Sequence, residues 1–524
     1  VSGLLEQREY LSALRDITKP EERSEPQERR RRFLWLPEYR EALDPRVLVV
    51  RGERGAGKTA LFHAFSMFAS REGRLESVEV PAWMRWESSF SLEKNRWLVG
   101  FSEEGTQHPS PLVLATFYRE APQDSERLRH FWFGSLVGLL GEWSLGEDAE
   151  RKAAMWEKLS PFWEVWRAAR HAPSEWVPAV GARVSLLLGV LDEIEQRLEK
   201  EGRYLFVVYD QLDRIGLGDA VMQKESIKIL LQIWQSFSSR YKRLRAKIFL
   251  REDLYQSVSR SYTDAGKLES LSCSMRWSVE NLYRVLYRRM LASEELRGWL
   301  VAGGFPVGTE DPEWGAYPPR MPPETQGDTQ LAILEVLGDT QGKSEELRSV
   351  SQLSLMEAMV GRTMGAGVNK GYVHRWIPNH LSDANKAIVP RSMLNLFYFA
   401  TSDALKRTPR AQEGHLLHHT ALMEGLREAS VYRMKELEEE YLFVQRLELL
   451  RGMTLFAGQE EVEQKLSGLP FDGKEDGYGS DGKRVFAELE RLGVLKVRKE
   501  RGVDMPDLYR LGLEIKRRGG VARA

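Results

Sequence analysis

The chain has 524 residues, enough for about three domains at roughly 150 residues each. Its 42% hydrophobic and 29% charged residues describe a globular chain, and 76 Lys and Arg against 77 Asp and Glu exclude a global basic field that draws it to nucleic acid. A single cysteine, Cys273, excludes a disulfide framework and a Cys-ligated zinc site and fits a reducing cytoplasm. No apolar run approaches the ~20 residues that span a bilayer. Phe131–Leu140 and Val184–Leu191 are too short, and Val1 to Glu6 lack a signal-peptide start. The expectation is a cytoplasmic protein with no membrane partner.

In chain order, residues 1–32 read as a charged lead-in ending in Arg29-Arg30-Arg31-Arg32, a solvated face or tail rather than a phosphate contact. Val47-Leu48-Val49-Val50 reads as a strand buried on both faces. It runs into Arg51-Gly52-Glu53-Arg54-Gly55-Ala56-Gly57-Lys58-Thr59, and then into a helix with Leu61, Ala64 and Phe65 on one face. From about 76 to 200 the chain reads as aromatic and helical, with one strand near Arg96–Phe101 and helices over Glu126–Leu140 and Arg151–Arg170. The tryptophans Trp156, Trp163 and Trp166 are expected in a core or subunit interface, with base stacking the competing use.

Tyr204–Tyr209 reads as a second buried strand ending at Asp210-Gln211-Leu212-Asp213, followed by a helix carrying Ile227, Leu230, Leu231 and Trp234. Lys247-Ile248-Phe249-Leu250 forms a third strand, ending at Arg251-Glu252-Asp253. Strands alternating with helices predict a parallel α/β sheet. Beyond Leu271 the pattern turns helical, with Ser278 as an N-cap. Residues 303–328 hold five Gly and six Pro and read as a long loop; helices resume from Thr329 to about Leu466, interrupted near Gly361–Lys370. At the end, helix Arg484–Leu492, strand Val494–Val497, a charged turn and strand Asp507–Leu511 read as a winged helix.

Gly52–Thr59 fits G-x-x-x-x-G-K-[ST] at every fixed position. Such a loop curls its backbone so that successive N–H groups, from Gly52 through Glu53, Arg54, Gly55, Ala56, Gly57 and on to Ala60, face phosphate oxygens at a helix start. Lys58 is then expected on the β- and γ-phosphates and Thr59 on Mg²⁺. Asp210, at the end of an apolar strand, is the second Mg²⁺ candidate. Gln211 follows it where a glutamate is usual, so Asp213 becomes the candidate acceptor of the attacking water's proton, with helix N-cap as its bland alternative. Arg251 is expected on the nucleotide edge of the sheet, either sensing the γ-phosphate or pairing with Glu252 or Asp253. Arg391, at a helix start, either folds onto the phosphates or is a surface charge.

Together these residues resemble the P-loop ATPases of the AAA+ and STAND superfamily, in particular the bacterial and archaeal STAND- or KAP-like branch that ends in a winged helix. Asp210-Gln211-Leu212-Asp213 is similar to the hhhhD-x-x-[DE] form of those proteins, which implies Asp213 as catalytic acid. Arg251-Glu252-Asp253 occupies the sensor 1 region, Trp277 to Arg289 looks like the start of the helical lid, and Trp376–Leu394, with Asp383 and Pro390-Arg391, looks like its later part with a sensor 2 arginine. The chain departs from the family in Gln211 and in the 152-residue separation of Lys58 and Asp210, which requires a large insert.

The resemblance implies an α/β parallel-sheet P-loop core over 33–275 with a helical insert at about 110–200, a helical lid over 276–466 and a winged helix over 467–524. It further implies ATP with Mg²⁺ as cofactors, a homo-oligomer, and an effector partner of the kind used in anti-phage responses. Asn369-Lys370-Gly371-Tyr372 lacks the aspartate of a guanine reader, which favours ATP over GTP. Three functions stay open: a hydrolysing conformational switch, a nucleotide-dependent scaffold with negligible turnover, and a DNA- or RNA-stimulated ATPase. The last draws on the C-terminal segment 483–518, where 11 basic residues face 6 acidic ones and Lys496, Arg498, Lys499 and Arg501 fall on or near the wing. Against it, Glu488 and Glu490 lie on the recognition helix. His415 and His419, read as i, i+4 on a helix, offer a metal site that no third ligand completes.

Overall fold

A computed structural model describes residues 2–19, 32–36, 39–66, 95–102, 108–122, 124–144, 157–160, 162–216, 219–262, 264–303, 305, 352–407, 415–469, 476–499 and 501–517. Arg29 to Arg31, Trp156, most of the 303–328 loop and residues 329–351 lie outside them. The chain divides into two compact units, residues 35–276 and residues 1–34 with 277–524.

The first unit is built on a five-stranded, all-parallel sheet in the order β2-β3-β4-β1-β5. Its strands are β1 Val49–Gly52, β2 Arg96–Phe101, β3 Leu205–Tyr209, β4 Leu244–Arg251 and β5 Ser272–Ser274. β3 is buried at every position, which is why it reads as an unbroken apolar run rather than an alternation. Helix Lys58–Ser66 covers one face, where Phe65 stacks on Trp97 at 4.6 Å and Phe62 meets Phe249 edge-on at 6.1 Å. Helix Ala220–Arg240 covers the other, where Trp234 Nε1 donates to the Tyr209 hydroxyl at 3.1 Å. Tyr209 and Phe249 occupy opposite faces because Tyr209 is in register with Ile248 and side chains alternate along a strand.

Between β2 and β3 the chain adds helices Pro111–Glu120, Ser125–Ser144, Phe162–Ala169, Pro173–Gly181 and Val184–Glu201. Trp132, Trp163, Trp166 and Trp176 are all buried in one apolar cluster, so these rings serve as core and leave no base-stacking face. One polar group sits deep in the same unit. Lys247, in the middle of β4, is fully buried; its ammonium donates to the carbonyls of Val47, at 2.7 Å, and Asp44, and lies 5.6 Å from the Phe206 ring.

The second unit is helical. The expected lead-in is instead a helix, Ser2–Thr18, that buries Leu11, Leu14 and Ile17 in a core shared with Leu286, Met290 and Leu396. Its charged residues occupy the outer face and hide the apolar stripe from a reading by composition. Ser278 caps helix Val279–Leu291 by accepting from Asn281 N–H at 3.2 Å. Helices Pro390–Lys406 and His419–Glu440 form the densest helix pair. Arg446, fully buried, is held by Asp476 at 2.6 and 2.7 Å and by the carbonyls of Leu466 and Gly479.

The C-terminal part comprises β6 Thr454–Leu455, helices Gln459–Leu466 and Gly482–Arg491, the antiparallel hairpin of β7 Lys496–Arg498 and β8 Gly502–Asp504, and β9 Lys516–Arg517, which pairs with β6. Ala457 bridges Val503, so the hairpin continues onto the start of this segment. The strand expected at Asp507–Leu511 is a short helix, Asp507–Arg510: Pro506 precedes it and Asp507 pairs with Arg510 one turn on. Among the described residues no helix is long and apolar enough to cross a membrane.

Lys247 generates a stability prediction. Burial pulls its ammonium down from 10.5 to about 7 despite the nearby Asp44. Between those values the unfolded chain binds a proton that the folded chain does not, so stability rises with pH from about 7 towards 10.5 and is lost as pH falls back to 7. Lys247→Met removes this dependence. Urea denaturation of both proteins across that window is expected to show the wild type gaining on the variant as pH rises.

Candidate phosphate-binding site

The strand order fixes where a ligand can sit. The chain leaves β1 to reach β2 across β4 and β3, and leaves β4 to reach β5 in the opposite direction across β1. With right-handed crossovers the helices that follow β1 and β4 therefore depart to opposite faces. A crevice opens between them at the carboxyl ends of the strands, the place where open α/β sheets take ligands. Gly52 is in register with Arg251 there, and Asp210 follows the last residue of β3.

At this edge the loop after β1 turns through Gly55, at φ 81°, and Gly57, at φ 85°, a region that side chains disfavour and that lets the backbone curl around a point in front of it. Helix Lys58–Ser66 begins immediately. The Lys58 ammonium donates to the carbonyls of Gly52, at 2.8 Å, and Glu53, at 2.9 Å, so the loop folds around its own cation. Burial lowers the Lys58 ammonium from 10.5 to about 8, against the opposing pull of Asp210.

Asp210 is 3% exposed. Burial raises its carboxyl from 3.8 to about 6, opposed by hydrogen bonds from the Thr59 hydroxyl and the Gln211 N–H and by the charge of Lys58. Its Oδ2 is buried with no hydrogen-bond partner. An orphaned carboxylate oxygen beside a threonine hydroxyl has the chemistry of a hard-cation ligand pair. Among the described residues no group of three or more His, Cys, Asp or Glu side chains is arranged to hold a metal, so a cation here must draw its remaining ligands from water or from an anion.

Gln211 takes the left-handed conformation, φ 56° and ψ 31°. The preceding residue is pinned by Asp210 N–H to Phe101 O at 3.0 Å, and the next turn is closed by Arg214 N–H to Gln211 O at 3.0 Å. Only three non-glycine residues share a positive φ among those described, and this one sits beside the buried carboxylate. The sequence shows Gln211 where a glutamate is usual, but holds no local signal for its backbone conformation.

Asp213 lies in the short 3-10 turn Leu212–Arg214, a third exposed. It does not cap the next helix; Asp219 does, accepting from Val221 and Met222 N–H at 3.0 Å each. Arg251 reaches Asp213 at 3.9 Å and grips Asp253 through two bonds of 3.1 and 2.9 Å. The pairing alternative for Arg251 is thus the arrangement observed, with the guanidinium still at the crevice. Arg391 belongs to the other unit and pairs with Glu436 at 2.9 Å.

The remaining candidates fare less well. Lys496 donates to Ala384 O at 3.1 Å and Arg498 pairs with Asp504 at 2.7 Å, so two of the four cations of the expected basic wing have internal ties. His415 and His419 do not share a helix, because the helix starts at His419; His415 Nδ1 faces Ala358 O at 3.3 Å. No family model matches this chain, and neither curated proteins nor solved structures give a match.

Relief of backbone strain makes the Gln211 geometry measurable. A left-handed non-glycine residue costs about 1–2 kcal/mol, and glycine gives back roughly 0.5–1 kcal/mol of that in unfolded-state entropy. Gln211→Gly is therefore expected to stabilise the protein by about 0.5–1 kcal/mol in urea denaturation.

Proposed function

We propose that the chain is a Mg²⁺-dependent ATPase whose nucleotide state drives a conformational or assembly change. The observation that carries this reading is the meeting, at one sheet edge, of the curled loop with Lys58 and the buried, half-satisfied carboxylate of Asp210. Strand β4, with Arg251 at its end, lies between the two strands that bring them there. The resemblance to the AAA+ and STAND ATPases agrees with it, and the order of helices and hairpin over 454–517 suits a winged helix.

On this reading the backbone from Gly52 to Ala60 and the Lys58 ammonium hold the phosphates. Lys58 exchanges the carbonyls of Gly52 and Glu53 for phosphate oxygens, which its flexible stem permits. Thr59 and Asp210 hold Mg²⁺, which when bound offsets the charge on the β- and γ-oxygens. Asp213, on the solvent side of Asp210, accepts the proton of the attacking water. Arg251 turns from Asp213 and Asp253 towards the γ-phosphate, leaving Asp213 free to act. Homo-oligomerisation, an effector partner and a cytoplasmic role in defence follow from the resemblance alone.

A second reading, a scaffold that binds ATP and turns it over negligibly, is favoured by Gln211 in the usual position of the base and by the Arg251 charge beside Asp213. A DNA- or RNA-stimulated ATPase acting through the C-terminal hairpin is disfavoured by the internal ties of Lys496 and Arg498.

Calorimetry and steady-state hydrolysis separate these readings. Lys58→Ala is expected to weaken ATP binding by at least about tenfold. Asp213→Asn is expected to keep binding and lose turnover by about 10²-fold or more. Normal hydrolysis by Asp213→Asn refutes that residue as the base, tight binding with no wild-type turnover selects the scaffold, and no heat of ATP uptake by folded protein with Mg²⁺ removes the proposal. Asp253→Asn, which releases one grip on Arg251, is expected to tighten ATP binding severalfold relative to ADP.

A further inference from the structure

We infer that the surface hairpin 361–375 is a binding site for the phosphodiester backbone of a nucleic acid. Across residues 358–382 the sequence contains Arg362, Lys370 and Arg375 and not one Asp or Glu. The structure gathers these cations on a single built element. Thr363 and Tyr372 form an antiparallel bridge, Val373 N–H donates to Arg362 O at 3.1 Å, and Met364 N–H donates to Gly371 O at 3.0 Å. Met364 and Val373 are buried in the unit's core, so the hairpin is anchored and its outer residues are held outward.

Arg362, Lys370 and Arg375 are all exposed. None has a carboxylate partner among the described residues, whereas Arg446, Arg498, Arg510 and Arg517 of the same unit are all ion-paired. The two guanidinium groups instead lie 5.7 and 5.9 Å from the centre of the Tyr372 ring, which presents them as a pair without neutralising them. Lys370 packs over Gly365 of the same hairpin; a Cβ on that glycine would sit 3.5 Å from Lys370 Cγ. Of the flanking acids, Asp383 is occupied by the N–H groups of Asn385 and Ala387, at 2.9 and 2.7 Å. Glu357 lies on the preceding helix, Gln352–Met359.

Exposed, unneutralised cations on one anchored hairpin suit a chain of phosphates, where each contact releases a counterion. In a chain of net charge -1, attraction for polyanions must come from such local patches, and this hairpin supplies one.

Fluorescence anisotropy of the full chain with a duplex and a single-stranded oligonucleotide of about 30 nucleotides tests this, between about 50 and 200 mM salt. Wild type is expected to bind at least one probe with steep salt dependence. The triple variant Arg362→Gln, Lys370→Gln, Arg375→Gln is expected to bind at least tenfold more weakly, with its salt slope shallower by about 2 to 3. Lys499→Gln with Arg501→Gln is expected to bind as wild type, which separates this site from the C-terminal hairpin. The stronger probe tells duplex from single strand. The inference is overturned if wild type binds neither probe at low salt, if the triple variant binds as wild type with an unchanged circular dichroism spectrum, or if polyglutamate is bound more tightly than either oligonucleotide.

Discussion

The carboxylate of Asp210 is the group that the rest of the sheet edge must accommodate. A charge that has lost its water is costly unless other groups replace the hydration, and here the replacement is partial. The Thr59 hydroxyl, the Gln211 N–H and the nearby Lys58 charge each favour the ionised form, yet burial outweighs them and the carboxyl moves up to about 6 while the Lys58 ammonium moves down to about 8. Each group is thus held closer to neutrality than it would be in water, and one carboxylate oxygen remains without a hydrogen bond. A site left in that condition gains from any ligand that brings cation and anion together, because binding then completes an electrostatic balance the protein alone leaves open.

The sheet makes this juxtaposition possible without local ingenuity. β1 and β3 never touch; each pairs with β4, whose register places Arg251 level with Gly52. Three segments distant in sequence therefore end at one edge, and the large helical insert between β2 and β3 packs its tryptophans into an apolar cluster it shares with the sheet and helix Ala220–Arg240. Lys247, in the middle of β4, ties that strand to the carbonyls of Asp44 and Val47, just ahead of β1. The central strands are thereby joined by a buried polar group as well as by apolar packing.

What could be read from the sequence follows from the range of the interactions involved. Gly52–Thr59 and the apolar run before Asp210 are local patterns, so the loop, both strands and the identity of the edge residues were accessible. The cap at Ser278 was equally local. The helix Ser2–Thr18 was not, since its burial depends on residues near 290 and 396 and its own charges dominate its composition. The left-handed backbone of Gln211 follows a residue, Asp210, whose N–H is bonded to Phe101 O more than a hundred residues earlier. The pairing of charges is likewise non-local. A basic surplus in the C-terminal segment is visible in the sequence, but the internal partners of Lys496 and Arg498, and the lack of carboxylate partners for the cations of hairpin 361–375 among the described residues, are not.

Arg251 ties the two halves of the nucleotide reading together. Its guanidinium is shared between Asp253, through two good bonds, and Asp213, at a looser 3.9 Å. While Arg251 stays near Asp213, the carboxylate keeps a competing partner in the crevice. An anion entering the crevice competes for the same guanidinium. On the proposed function, if it succeeds, Arg251 leaves Asp213 as the substrate arrives. The single arginine would then link occupancy to the release of Asp213, and Gln211, which cannot itself take a proton, would orient water rather than react. The same coupling explains how one edge can serve a slow switch or a near-silent scaffold: the outcome depends on how firmly Asp253 retains Arg251.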